Sequence, residues 1–215
     1  MPFQKRVLRG RSYQVFVPPS YVTSRPWPLI VYLHGVGENG TDGEKHLQVG
    51  LPPYVLAHEA TFPAFVIAPQ CKGPWKYEGE DEQLILDSIP AAQREWRIDP
   101  KRIYLTGLSQ GGCSTFDLGG RYPDRWAGLL VVCGAGRPSD AGRITAPLWI
   151  FHGERDEVVP PSGPHQWDKA NVGGRDMAKL IGRAKYTELP DADHFIWDKV
   201  YSDPAVWEWL LAQKR

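Results

Sequence analysis

The chain is poor in cysteine: Cys71, Cys113 and Cys133 are the three in 215 residues. None forms a CxxC pair, which argues against a zinc ribbon or a redox dithiol. An odd number leaves at least one thiol unpaired, and all three are expected to be reduced and buried. Nowhere do about 18 apolar residues run together, so no membrane span is legible. The opening MPFQKRVLRGRSYQVFV has no apolar core before a small-residue cleavage site, the mark of a secretory leader. Unless a leader has been trimmed, this places the protein in the cytoplasm. An excess of one charge is also missing, with 25 Lys plus Arg against 25 Asp plus Glu. Nucleic-acid binding rests on a basic surface, so nucleic acid is not the expected partner. Repeats, low-complexity tracts, charge blocks and linkers are absent too. Residues 1–215 therefore read as a single domain, long enough to bury roughly 70% of its unfolded surface.

Glycine (22), proline (20) and tryptophan (9) are abundant. Many turns between short elements follow from the first two. Continuous apolar runs recur, each ending at Gly, Pro or His-Gly: Leu29–Leu33, Phe65–Ala68, Ile103–Thr106, Leu129–Cys133, Leu148–Phe151 and the more polar Lys185–Leu189. Ser12–Val17 alternates and reads as an early strand. Runs apolar on both faces fit parallel strands covered on each side by helices. Leu84, Ile85, Ile89, Ala92 and Trp96 recur at helical spacing before Asp99-Pro100, which is expected to stop that helix. Gln110–Arg121 and Pro204–Gln213 read as two further helices. Alternation of strand and helix gives an α/β class with a mostly parallel sheet. In such sheets the reactive groups gather at the carboxyl ends of the strands.

Directly after the run RIYLT comes Gly107-Leu108-Ser109-Gln110-Gly111, a G-x-S-x-G between a strand and a helix. This is the setting of a nucleophile elbow, in which the serine sits on a sharp strained turn and its neighbours must be small. A hydroxyl needs a base. Of six histidines, His194 lies in the loop after the last predicted strand and follows Ser109 in the chain. His34 and His152 each directly follow a strand and precede glycine, which suggests local structural hydrogen bonds at loop starts. His46, His58 and His165 lie in polar or helical surroundings and read as surface residues. The acid that orients the base is expected at another strand end, and Asp156 follows the run LWIF, with Glu154 and Glu157 beside it. Its role is to hold the imidazole tautomer. Two backbone donors for an oxyanion are expected, Gln110 N–H after the nucleophile and Val36 N–H in the loop HGVGENG.

These pieces resemble the α/β-hydrolases, in particular small bacterial carboxylesterases related to dienelactone hydrolases and to the phospholipase/carboxylesterase group. The matching segments are LHGVGENG, APQC with Trp75 beyond it, RIYLTGLSQGG, RYPDRWAG, LWIFHGERDEVVP and DADHFIWDKVYSDPAVWEWLL. They spread over residues 29–211. The resemblance implies the same triad, Ser109, Asp156 and His194, and the same oxyanion donors. Dienelactone hydrolases proper use a cysteine nucleophile. Position 109 is serine, so that reaction is not expected. Residues 161–183 are rich in Gly and Pro, which predicts a short or irregular helix where such esterases place an amphipathic one.

No insertion large enough for a helical lid separates the core strands. An open site is expected, bordered by Trp75, Trp197 and Val158. Glu38 reads equally as an anchor of the oxyanion loop or as a solvated loop carboxylate. Cys113 is expected to pack under the elbow. The expected partner is a small-molecule ester, and neither a cofactor nor a metal is implied. Monomer and dimer both remain open. The expected chemistry is hydrolysis of short-chain acyl or aryl esters through an acyl-enzyme. The same residues would serve an acyl-protein thioesterase or lysophospholipase, a feruloyl-type esterase, a small serine peptidase or, with a dead site, a binding protein.

Overall fold

A computed structural model describes residues 2–73 and 77–215. The apolar runs form the strands. In chain order they are β1 (Phe3–Leu8), β2 (Arg11–Phe16), β3 (Trp27–Leu33), β4 (Phe65–Pro69), β5 (Ile98–Leu108), β6 (Gly128–Val132), β7 (Ala135–Gly136), β8 (Leu148–Gly153), β9 (Val172–Gly173) and β10 (Lys185–Leu189). Eight of them make one sheet in the order β1-β2-β4-β3-β5-β6-β8-β10, and β7 and β9 pair as a small ribbon. The hairpin β1–β2 and the β2–β4 pair are antiparallel. From β4 to β10 every neighbour is parallel.

Among the described residues six α-helices cover the sheet: α1 (Leu51–Ala57), α2 (Glu80–Glu95), α3 (Gln110–Arg121), α4 (Gly174–Ile181), α5 (Trp197–Tyr201) and α6 (Pro204–Ala212). The period-two geometry of a strand sends alternate side chains to opposite faces. Leu29, Val31 and Leu33 of β3 pack with Leu84 and Ile85 of α2, Phe116 of α3 and Met177 of α4. Ile30 and Tyr32 of the same strand pack on the other face with Leu51 of α1, Tyr201 of α5 and Trp207 of α6. Both faces are apolar because both are covered, which is why the runs are unbroken rather than alternating. Each fully buried Leu, Ile, Val or Phe contributes roughly 1.5–3 kcal/mol.

Several boundaries differ from the sequence expectation. β1 is an unpredicted strand. It lies at the sheet edge and is mostly exposed, so its charged side chains leave no hydrophobic pattern to read. Charges on an edge strand discourage pairing with another chain. The helix expected to run to Asp99-Pro100 ends at Glu95. Trp96 is already extended, and Asp99-Pro100 falls inside β5. The register there jumps, with Trp27 opposite Ile98 but Leu29 opposite Ile103. That irregularity admits a proline, which cannot donate to a regular ladder. Between residues 161 and 183 the helix is short, the eight residues of α4, closed by Gly182 in the left-handed region at φ 71°. No helix among the described residues is long and apolar enough to cross a membrane. All three cysteines are buried.

Candidate active site

Ser109 stands between β5 and α3 with φ 52° and ψ −117°, a strained backbone for a residue with a side chain. Its N–H donates to the Val132 carbonyl at 2.9 Å, and its own carbonyl accepts from Cys113 N at 2.9 Å. The turn closes only because its flanks lack side chains. A Cβ on Gly107 would lie 2.3 Å from the Gly111 carbonyl group, and one on Gly111 would lie 2.1 Å from the Leu33 carbonyl oxygen. Both obstacles are backbone and cannot swing aside. Gly111→Ala is therefore expected to destabilise the fold by several kcal/mol, in the range of severe overpacking. A urea midpoint within error of wild type would show that the elbow can relax.

His194 reaches the serine from the loop after β10. Its Nε2 is 2.9 Å from Ser109 Oγ and its Nδ1 is 2.6 Å from Asp156 Oδ2. With Nδ1 donating to the carboxylate, Nε2 is left as the acceptor that a base needs. Asp156 sits in the tight loop after β8, which folds its own amides onto the side chain: Val158 N and Val159 N donate to Oδ1 at 2.9 and 2.8 Å. Burial pushes the Asp156 carboxyl up. Hydrogen bonds from His152, His194 and the Val159 amide, with the charge of His194, outweigh it and hold the carboxyl well below the usual carboxylate range. Ser109, Asp156 and His194 are all nearly buried.

The loop after β3 lies against the nucleophile: a Cβ on Gly35 would sit 3.6 Å from Ser109 Cβ. Val36, the next residue, is 45% exposed. Glu38 ties the loop back, its Oε2 accepting from Gly35 N at 3.1 Å. His34 anchors the start. Its Nε2 accepts from Cys71 N at 2.9 Å, so Nδ1 carries the proton and donates to the Gly35 carbonyl at 2.7 Å. Gln70 Nε2 donates to the Glu38 carbonyl at 3.0 Å, and Asn39 Nδ2 donates to the Gly73 carbonyl at 2.6 Å. Gln110 opens α3, so its N–H is one of the first-turn amides with no helical acceptor.

The predicted rim divides. Trp75 lies outside the described residues. Trp197 is half-buried and meets the His194 ring edge-on, with centroids 5.6 Å apart. Val158 packs beside Cys113, Ala135 and Val159, and its N–H serves Asp156. The structure adds Phe195, 67% exposed beside the base and edge-on to Trp197. Its place immediately after His194 was the one available signal. Cys113 is buried next to the elbow, where its Sγ accepts from Ala135 N. Two histidines read as surface residues are buried: His46, whose Nε2 bonds the Ala68 carbonyl, and His165, whose N–H donates to the Asn171 carbonyl. Polar neighbours in the chain do not report what folds over a residue. His58 is exposed.

Cys133, Asp156 and His194 are the one group of metal-ligating side chains brought together among the described residues, with their donor atoms within 4.8 Å of one another. Asp156 and His194 already satisfy each other there.

A parallel sheet entered by an antiparallel hairpin, with a strained serine after β5, an acid after β8 and a histidine after β10, defines an α/β-hydrolase fold with a serine triad. No family model matches the chain. It is 26% identical over 159 residues to the "Probable feruloyl esterase C" of Aspergillus terreus, covering 73% of this chain and 58% of that protein. It is 27% identical over 158 residues to the bifunctional acetylxylan esterase/xylanase XynS20E of Neocallimastix patriciarum, covering 70% of this chain and 22% of that one. A solved thermostable esterase superimposes on all of this chain at TM-score 0.82 and 29% identity, with 63% of that structure covered. The chain thus spans less than two thirds of these relatives.

Proposed function

We propose that the chain is a serine carboxylesterase acting on short-chain acyl or aryl esters. One observation carries this reading: Ser109 Oγ, both His194 nitrogens and Asp156 Oδ2 lie in one hydrogen-bonded line, at 2.9 and 2.6 Å, on a strained elbow. The hydroxyl attacks the ester carbonyl as His194 Nε2 takes its proton. Asp156 stabilises the imidazolium and keeps its own proton count unchanged. The N–H groups of Val36 and Gln110 receive the developing oxyanion. His194 then protonates the leaving alcohol, and water repeats the sequence on the acyl-enzyme.

The substrate range follows from what surrounds the serine. Among the described residues no helical lid interrupts the core strands, which leaves little wall for a long acyl chain. Phe195 and Trp197 offer aromatic edges beside the base. A hydroxycinnamoyl (feruloyl-type) ester is the second reading, favoured by those rings and by the feruloyl esterase among the relatives. The test is a series of p-nitrophenyl acetate, butyrate, octanoate and palmitate, with methyl ferulate and a p-nitroanilide alongside. The expected kcat/KM is highest for acetate or butyrate and low for palmitate and the anilide. A maximum at palmitate would turn the reading towards a lysophospholipase or thioesterase. Activity confined to the anilide would turn it towards a peptidase.

A further inference from the structure

Asp156 has a second imidazole beside it that the triad does not use. His152 lies near the end of β8, four residues before the acid, and its ring is wholly buried. Its Nε2 is 2.7 Å from the Val159 carbonyl oxygen and 3.3 Å from Asp156 Oδ2. Both neighbours are acceptors, so Nε2 carries the proton and shares it between them. The other ring nitrogen, Nδ1, is buried without a hydrogen-bond partner. It faces the first residue of α4, where a Cβ on Gly174 would come within 2.6 Å. Val159 is also the residue whose N–H grips Asp156 Oδ1 at 2.8 Å. The ring thus holds the carboxylate directly at Oδ2 and also holds the carbonyl of Val159, the residue whose N–H binds Oδ1.

We infer that His152 is a positioning residue for ester hydrolysis, whose Nε2–H fixes the Asp156 carboxylate so that Oδ2 faces His194 Nδ1. This rests on the reading of Ser109, His194 and Asp156 as the reacting line. Without the ring, the two loop amides still hold Oδ1, but the carboxylate plane is freer to turn about the last side-chain bond. A base whose tautomer is set by one hydrogen bond loses rate when that bond loses its aim. The other titratable groups nearby do not replace it. Cys133, just after β6, also reaches the Asp156 carboxylate, but its thiol, pushed up by burial and by Asp156, is a weak donor. Glu188 on β10 is engaged by Arg175 of α4 at 2.7 Å.

The test compares His152→Leu, His152→Asn and His152→Gln, each alone and in an Asp156→Asn background, with p-nitrophenyl butyrate as substrate and thermal unfolding as the control for folding. Glutamine carries an amide nitrogen as many bonds from Cα as His Nε2, and asparagine falls one bond short. His152→Leu and His152→Asn are expected to lower kcat by about ten- to a hundredfold with KM little changed, and His152→Gln to recover most of it. In the Asp156→Asn background the same changes are expected to shift kcat by less than about twofold, because the residue they act through is gone. Equal losses in both backgrounds, or a glutamine as poor as asparagine, would overturn the inference and leave His152 a packing residue. Should leucine fail to fold, the Asn and Gln pair decides alone. Ser109→Ala run in parallel separates the two levels. Full activity there sinks the triad itself, whereas a dead Ser109→Ala beside a fully active His152→Asn sinks only the role of His152.

Discussion

Ser109→Ala is expected to lower kcat/KM for p-nitrophenyl butyrate by ~10⁴-fold or more, the scale on which removal of a triad nucleophile acts. The protein should remain folded, because Ser109 is a small side chain whose Oγ, among the described residues, bonds only His194. Its backbone adds a second, independent signature. At φ 52° a Cβ is strained and glycine is not. Ser109→Gly is therefore expected to be as inactive as Ser109→Ala yet more stable by about 1 kcal/mol. Kinetics and urea unfolding of the two variants check both statements. Residual activity within tenfold of wild type would mean that the serine is not the nucleophile. A glycine variant less stable than the alanine one would mean that the elbow stores no strain.

The second large effect is on stability against acid. Burial lowers the pKa of His34 to about 4, and that of His46 likewise to about 4. The unfolded chain binds these protons near pH 6.5 and the folded chain does not, so each ring withdraws stability as pH falls from about 6.5 to about 4. A full shift of that size is worth on the order of 3 kcal/mol for each ring. The two are not independent, since their centroids are 5.7 Å apart and each charge disfavours the other. Asp156 has the opposite relation to pH. Its carboxyl lies below the usual range, so its contribution persists through this window and is lost only in stronger acid. Glu38 is raised by burial, and its protonation in acid offsets a part of the loss. Urea midpoints measured from pH 7.5 to 4 should fall steadily below about 6.5, and His46→Gln should flatten the slope. A midpoint constant between pH 6.5 and 4.5 would refute the assignment. Because His34 binds both Gly35 and Cys71, activity should fail with stability over the same range.

The parts of this architecture that were legible in the chain are those where one local rule suffices. LIVYL, FVIA and LLVVC are unbroken because helices cover both of their faces, and their burial follows directly. The elbow could be read because Gly107-Leu108-Ser109-Gln110-Gly111 stands directly between an apolar run and a helical stretch. Gly107 meets backbone only four residues on, at Gly111, although Gly111 itself meets the distant Leu33 carbonyl. What was hidden depends on distant partners. β1 carries charge at an edge, and Arg6 there binds Glu95 at the end of α2, a contact no periodicity encodes. His46 and His165 stand among polar neighbours and are nonetheless buried, His46 against the Ala68 carbonyl 22 positions on. The second hold on Asp156 was half visible: His152-Gly153 read as a local hydrogen-bonding turn, but nothing in the order of residues says that its ring would lean on the acid.

The reacting line joins residues far apart in sequence, its acid and base separated by 38 positions and its base and nucleophile by 85. Such non-local closure is slow to form and comes only when the strands between have paired. β10 sits at the far edge of the sheet, and the loop behind it delivers His194. Turnover is thus a property of the assembled sheet and of no smaller part of it. Because the base is carried by the loop behind β10, hydrolysis returning in a refolding chain would report that the strands from β5 to β10 are all in place.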